Sequence, residues 1–313
     1  MSEHAYRVPA PGRRRHSSKE VPCVSEEVPI RTRRRSAGPA ILARMDLHDS
    51  TDAHGPHVVH DGPRDAPPLL LIHGSGASGS SWGPVVPALA RRYHVVRVDL
   101  PGHGQSPPAA SYDVPEQAAG LAATLDGLGL RPVTVAGHSS GGYIATALAE
   151  QRPDLAPSLA LISSGPSPDA LLPQPAPLRA LIAPPLGPLL WRVRSDAMLR
   201  RGVTAVCRRP VSVPDDLIAD VRNIGYRTFR TVLRRNSAYI ADRSVPTRLR
   251  ALGVPALVVF GAEDPRWDPD AAHRYEAAPD TRVERLPGVG HFPMLEAPRE
   301  TADVLLRFMA TVR

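Results

Sequence analysis

Cysteine is nearly missing from this 313-residue chain. Cys23 and Cys207 stand far apart, so neither a disulfide framework nor a C-x-x-C metal or redox motif can be built from them. Such usage suits a reducing compartment, and a cytoplasmic location is the expectation. Long apolar runs are missing as well. A membrane-spanning helix needs about 18 or more consecutive apolar residues, and the apolar stretch 181–191 is broken by Pro184, Pro185 and Pro188. Acidic residues are in deficit, 31 against 38 basic ones, for a formal charge of +7. That excess is local: residues 1–44 hold ten basic and four acidic groups, six of the seven charges. The remainder is close to neutral, so a nucleic-acid partner could only be sought through the tail, and nothing else in the chain supports one.

Residues 1–44 combine arginine clusters, proline and serine with few large apolar side chains. Burial cannot offset the ordering entropy of such a segment, so a disordered tail is expected. Its arginine pairs are not followed by an adequate apolar stretch, which argues against a secretory leader. More ordinary sequence opens at Met45, where translation is expected to be able to start.

From residue 57 onward short apolar runs alternate with helical spacing. Strands are expected over 57–60, 69–72, 94–98, 133–137, 159–162, 256–260 and 283–286, with helices over 82–90, 114–128, 142–150, 270–277 and 298–312. Runs such as Leu69-Leu70-Leu71-Ile72 are apolar throughout, as strands buried on both faces are. The pattern predicts an α/β fold with a mainly parallel sheet covered on both sides. Between 165 and about 250 there is no convincing strand, only proline-punctuated helical pieces. The expected organisation is a tail (1–44), a core in two pieces (45–164 and 251–313) and a helical insertion (165–250) over the sheet's carboxyl edge.

The stretch 133–145 organises the rest. A β-branched run leads into Gly137-His138-Ser139-Ser140-Gly141, a G-x-S-x-G match, and then into a small-residue helix. In a strand–turn–helix setting the turn is too tight for side chains at its flanks, and the serine is exposed at its tip. A serine hydroxyl needs a base to take its proton and an acid to orient that base. In the order nucleophile, acid, base, both lie after Ser139. Only His273 and His291 are available there; His273 falls in a helix, while His291 sits in a loop after the last strand. His291 is therefore the expected base. For the acid, Glu263, Asp264 and Asp268 follow strand 256–260, and Asp264 is favoured because it directly precedes Pro265. Oxyanion donors are expected at the Ser140 amide and in the loop His73-Gly74-Ser75-Gly76, with Ser75 first and Gly76 next. That loop lacks lysine and P-loop spacing, so it is not read as a phosphate cradle. No cofactor or metal is expected.

The chain resembles the α/β-hydrolase superfamily in its capped form. The resemblance rests on L-L-L-I-H-G-S-G (69–76), D-L-P-G-H-G-Q-S (99–106), G-H-S-S-G-G (137–142), V-V-F-G-A-E-D (258–264) and G-V-G-H-F-P-M-L-E-A-P (288–298). It implies an eight-stranded, mostly parallel sheet with a helical cap at 165–250. It places the nucleophile on Ser139, the acid on Asp264, the base on His291 and the oxyanion amides on Ser75 and Ser140. His103 and His138 fall at positions the family treats as structural. Serine rather than aspartate at the elbow argues against the dehalogenase and epoxide hydrolase branches. The implied activity is cleavage of a carboxylester, lactone or thioester of a small, mainly apolar molecule. Carbon–carbon bond hydrolysis, perhydrolysis and a ligand-binding protein with vestigial turnover stay open. The arginines of the insertion, among them Arg179, Arg192 and Arg194, are read as a solvated face or as contacts for a carboxylate. Oligomeric state is not legible.

Overall fold

A computed structural model describes residues 48–50, by backbone only, and 55–312. The arginine-rich segment 1–44, the possible start at Met45, and Cys23 lie outside the described residues. The described strands form one eight-stranded sheet. They are β1 (His48–Ser50), β2 (Val58–Asp61), β3 (Pro68–Ile72), β4 (His94–Val98), β5 (Thr134–His138), β6 (Ser158–Ile162), β7 (Ala256–Gly261) and β8 (Thr281–Leu286). Their order is β1-β2-β4-β3-β5-β6-β7-β8. β1 and β2 pair antiparallel, as do β2 and β4; every pairing from β4 to β8 is parallel.

The central strands are apolar throughout because both faces are covered. Along β3, Leu69 and Leu71 point into one core cluster while Leu70 and Ile72 point into the other. All four are essentially inaccessible, and each such side chain contributes about 1.5–3 kcal/mol by burial. The edge strand β8 carries Arg282 and Glu284 on partly exposed positions, where they pair with each other and discourage further strand addition.

On one face lie α2 (Val114–Gly127) and α3 (Ser140–Gln151); α1 (Val86–Leu89) lies on the other. α2 buries Val114, Ala118, Leu121, Ala122 and Leu125, one apolar stripe at helical spacing. Pro115 and Glu116 occupy its first turn, where a missing N–H and a negative charge are both favourable. The helix expected at 82–90 is split into a 3-10 turn, Gly79–Trp82, and the short α1. Gly83 and Pro84 lie between the two, while Pro87 sits in the first turn of α1, where its missing N–H is tolerated.

After β6 come α4 (Ala176–Ile182), α5 (Gly187–Arg192), α6 (Asp196–Thr204), α7 (Asp215–Asn223), α8 (Tyr226–Asp242) and α9 (Val245–Leu252). α9 crosses the boundary expected at residue 250 and packs on α3 and on the 3-10 helix Pro269–Ala277. After β8 the loop runs into α10 (Pro293–Glu296), a short helix that sequence pattern did not announce, and then into α11 (Pro298–Thr311), the helix expected over 298–312. No helix among the described residues is long and apolar enough to cross a membrane.

Candidate active site

The sheet delivers its loops to one edge. β5 ends in the turn at Ser139, whose backbone is held at φ 50° and ψ −119°. A non-glycine residue at positive φ is strained and persists only where its surroundings fix it. Here the Ser139 N–H donates to Ile162 O at 2.7 Å, and Ser164 Oγ donates to Ser139 O at 2.8 Å. The turn is also crowded. A Cβ on Gly137 would lie 2.4 Å from the Gly141 carbonyl carbon, and one on Gly141 would lie 2.5 Å from Ile72 O. Both positions of the G-x-S-x-G pattern therefore require glycine for close backbone approach.

His291 and Asp264 reach the same point from two other strands. His291 Nδ1–H donates to Asp264 Oδ2 at 2.8 Å, and its Nε2 faces Ser139 Oγ at 3.2 Å. The proton is assigned to Nδ1 because its partner is a carboxylate, which leaves Nε2 as an acceptor toward the hydroxyl. Asp264 is buried, and its Oδ1 accepts the backbone N–H groups of Arg266 (2.8 Å) and Trp267 (3.3 Å). Both oxygens are thus committed, and the carboxylate cannot swing away without losing several bonds. Of the competing residues, Glu263 is exposed, and Asp268 caps the helix Pro269–Ala277 through Asp270 N–H. His273 is exposed and bonds the Asp270 carbonyl.

Ser140 opens α3, so its amide has no acceptor within the helix and points, with the helix dipole, toward the turn. The Ser75 amide is differently engaged. It donates to Ser140 Oγ at 2.8 Å, while Ser75 Oγ lies 2.8 Å from Ser140 Oγ and accepts from Asn236 Nδ2 at 2.9 Å. In this state the Ser75 N–H is occupied by a side chain rather than free. Gly76 lies against Phe229, whose ring a Cβ would meet at 2.8 Å.

The two structural histidines are accounted for by the backbone. His138 Nε2–H donates to His291 O at 2.8 Å, and burial holds its pKa well below the ordinary value, so it is neutral. His103 Nδ1–H donates to Pro101 O at 3.0 Å, and burial lowers it to about 3.

Sequence reasoning missed Glu296. Its Oε2 accepts N–H groups of Gly290 (2.8 Å), Arg208 (2.6 Å) and Arg209 (3.1 Å), and its Oε1 accepts Phe292 N–H (3.0 Å). One buried carboxylate thereby ties both sides of His291 to the segment following α6. A charged residue inside the apolar run Met294-Leu295-Glu296-Ala297 was the available signal. Arg266 and Asn236 were missed too: the Asn236 bond to Ser75 Oγ spans 161 positions, and the Arg266 guanidinium meets Gln174, 92 positions away.

Ser139 opens on two cavities. The larger, about 220 Å³, is lined by His291 and by apolar side chains including Leu178, Trp191, Ile224 and Phe229. The smaller, about 170 Å³, is lined by Ser75, Ser140, Gln174, Asn236 and Arg266 among others. Among the described residues no cluster of three or more His, Cys, Asp or Glu side chains is placed to hold a metal ion.

Known proteins match this chain over most of its length. The family described as the alpha/beta hydrolase family matches residues 69–304. A Mycobacterium tuberculosis protein of uncharacterised function is 32% identical over 266 residues, covering 78% of this chain and 76% of that protein. A solved membrane phospholipase A is 28% identical with a TM-score of 0.67, over 82% of this chain and 83% of that one. A solved N-acyl homoserine lactonase shares the fold, with a TM-score of 0.71 over 85% and 97% of the two chains, at 22% identity.

Proposed function

The chain belongs to the alpha/beta hydrolase family, and on that premise we propose that it is a serine hydrolase of ester-type bonds. The substrate class is a carboxylester, lactone or thioester of a small, largely apolar molecule. One observation carries the reading: a continuous hydrogen-bond chain from Ser139 Oγ through His291 to Asp264, opening on a cavity with apolar walls. Similarity to a membrane phospholipase A supports the same class.

In this mechanism Ser139 Oγ attacks the carbonyl carbon while His291 Nε2 takes its proton. Asp264 holds the Nδ1–H and stabilises the imidazolium that forms. The oxygen of the tetrahedral intermediate receives the Ser140 N–H. The Ser75 N–H joins once it exchanges Ser140 Oγ for that oxygen; one such donor is worth roughly 10²–10³ in kcat. His291 then gives its proton to the leaving group, and the acyl–Ser139 ester is hydrolysed by a water that His291 deprotonates. Helices α4–α8 act as a cap, supplying most of the apolar wall that selects the substrate.

Steady turnover of short-chain 4-nitrophenyl esters, abolished in folded Ser139→Ala, is the expected result. Binding of such esters without turnover in the wild-type protein would replace the enzyme by a ligand-binding protein on the same fold.

A further inference from the structure

Several arginines of this chain meet an acid. Arg248 pairs with Glu150 and Asp242, Arg209 with Glu300, and Arg274 with Asp169. Arg266 does not. It stands two residues beyond Asp264, and among the described residues its guanidinium meets no carboxylate. Its side-chain hydrogen bond is a long one, Nη1–H to Gln174 Oε1 at 3.4 Å. Asp264 acts on it only through space, because both carboxylate oxygens are already committed to His291 and to backbone amides. Burial pushes the guanidinium's pKa down, so the charge is held where solvent compensates it poorly. A guanidinium offers five N–H donors in a planar fork suited to a carboxylate.

Its position is also informative, since Arg266 lines both cavities that open on Ser139. The two can be told apart by the base. His291 protonates the leaving group, so the leaving group must sit on the His291 side. His291 and Phe292 line the larger cavity, whereas the smaller one is lined by Ser140, Tyr143, Gln174 and Asn236. The acyl portion therefore enters the smaller cavity, whose lining includes the apolar Leu171 and Ile240 and the polar Gln174 and Arg266. Arg194 is the other half-buried arginine near the site. Its Nη2 already donates to the carbonyls of Arg222 (2.7 Å) and Ile224 (3.1 Å), and it stacks 3.8 Å from the Trp191 ring centroid. These contacts tie the end of α5 to the end of α7; its Nη1 is buried without a partner among the described residues, and Arg194 lines the larger cavity but not the smaller.

We propose that the smaller cavity is an acyl-side subsite for a carboxylate held by Arg266, so that the favoured substrates are half-esters whose short acyl chain ends in a negative charge. The inference rests on the ester-hydrolase reading for its assignment of sides. A hydrogen-bonded charge pair removed from water is worth roughly 10- to 100-fold in affinity.

The test compares 4-nitrophenyl hydrogen adipate with 4-nitrophenyl methyl adipate, which differ by one charge at equal length. Wild-type kcat/KM is expected to favour the anionic ester by at least about tenfold. Arg266→Gln should collapse that ratio toward one, and Arg266→Lys should restore part of it. Thermal melts establish that each variant is folded. Titration calorimetry with Ser139→Ala reads binding of the same two esters without turnover. The anionic ester should bind at least about tenfold tighter there, and the advantage should vanish in the Ser139→Ala, Arg266→Gln double variant.

Equal wild-type rates and affinities for the two esters would overturn the subsite. So would a preference that survives Arg266→Gln but is lost in Arg194→Gln, or one equal loss on both esters. Tight anionic binding with no turnover of either ester would keep the subsite and overturn the hydrolase reading instead.

Discussion

Replacing Glu296 by glutamine keeps its volume and removes its charge. In the native arrangement one carboxylate serves four backbone N–H groups, those of Gly290, Arg208 and Arg209 on one oxygen and Phe292 on the other. A glutamine can aim its carbonyl at the first three, and its NH₂ then meets Phe292 N–H donor to donor. Three charge-assisted bonds become neutral ones at roughly half the strength, and a fourth is lost in a buried setting. Together these cost about 2–5 kcal/mol of stability. For a domain of this size that corresponds to a fall in Tm of roughly 5–15 °C. His291 keeps three other anchors, its N–H on Val206 O, its carbonyl under the His138 Nε2–H and its Nδ1–H on Asp264. Turnover of a 4-nitrophenyl ester should therefore drop by about tenfold, far less than on deleting the base. Circular dichroism melts and initial rates on the purified variant are sufficient. Unchanged Tm together with unchanged kcat/KM would refute the idea that Glu296 holds the His291 loop.

Other consequences are open to direct measurement. His291→Ala should lower kcat by at least about 10³-fold with an unchanged melt, since the serine loses its base; near-normal turnover would point to His273 instead. Asp264→Asn should cost somewhat less than losing the base, and a larger loss in Asp268→Asn would mean the wrong acid has been assigned. Burial and the nearby Glu296 push the Cys207 thiol up to about 12. Iodoacetamide at pH 8, mapped by peptide, should leave it unmodified in the native protein, and rapid labelling would contradict its placement. Burial lowers His60 to about 4 and His103 to about 3, and lowers His73 and His138 as well. The unfolded chain, at about 6.5, takes up these protons first. Stability should thus be level above pH 6.5 and fall as pH drops from there toward 4. A Tm that is flat between pH 7 and 5 would show those histidines to be solvated.

The fold was legible where burial alone dictates sequence. Runs such as Leu69–Ile72 and 256–260 can hardly be anything but strands covered on both faces, and the order of glycine-rich loops after strands followed from them. The elbow was legible because a sharp turn admits only glycine at its flanks. Candidates for the base were few, since His273 and His291 alone follow Ser139. What escaped was whatever depends on contacts between distant residues. Asn236 lies 161 positions from the Ser75 hydroxyl it bonds, and no local pattern announces that. Arg266 reads as one more loop arginine until its lack of an acid is seen in space. The Ser75 amide was assigned from loop position alone, which carries no information about a competing acceptor such as Ser140 Oγ. Helix type at 269–277 and the existence of the short α10 turn on local backbone hydrogen bonding that propensity does not resolve.

The central claim is that Ser139 is an activated nucleophile, and a fluorophosphonate reads that property directly. Intact mass should show a single adduct, peptide mapping should place it on Ser139, and Ser139→Ala should take none. A folded wild-type protein that stays unlabelled, or a label on any other residue, would contradict the account.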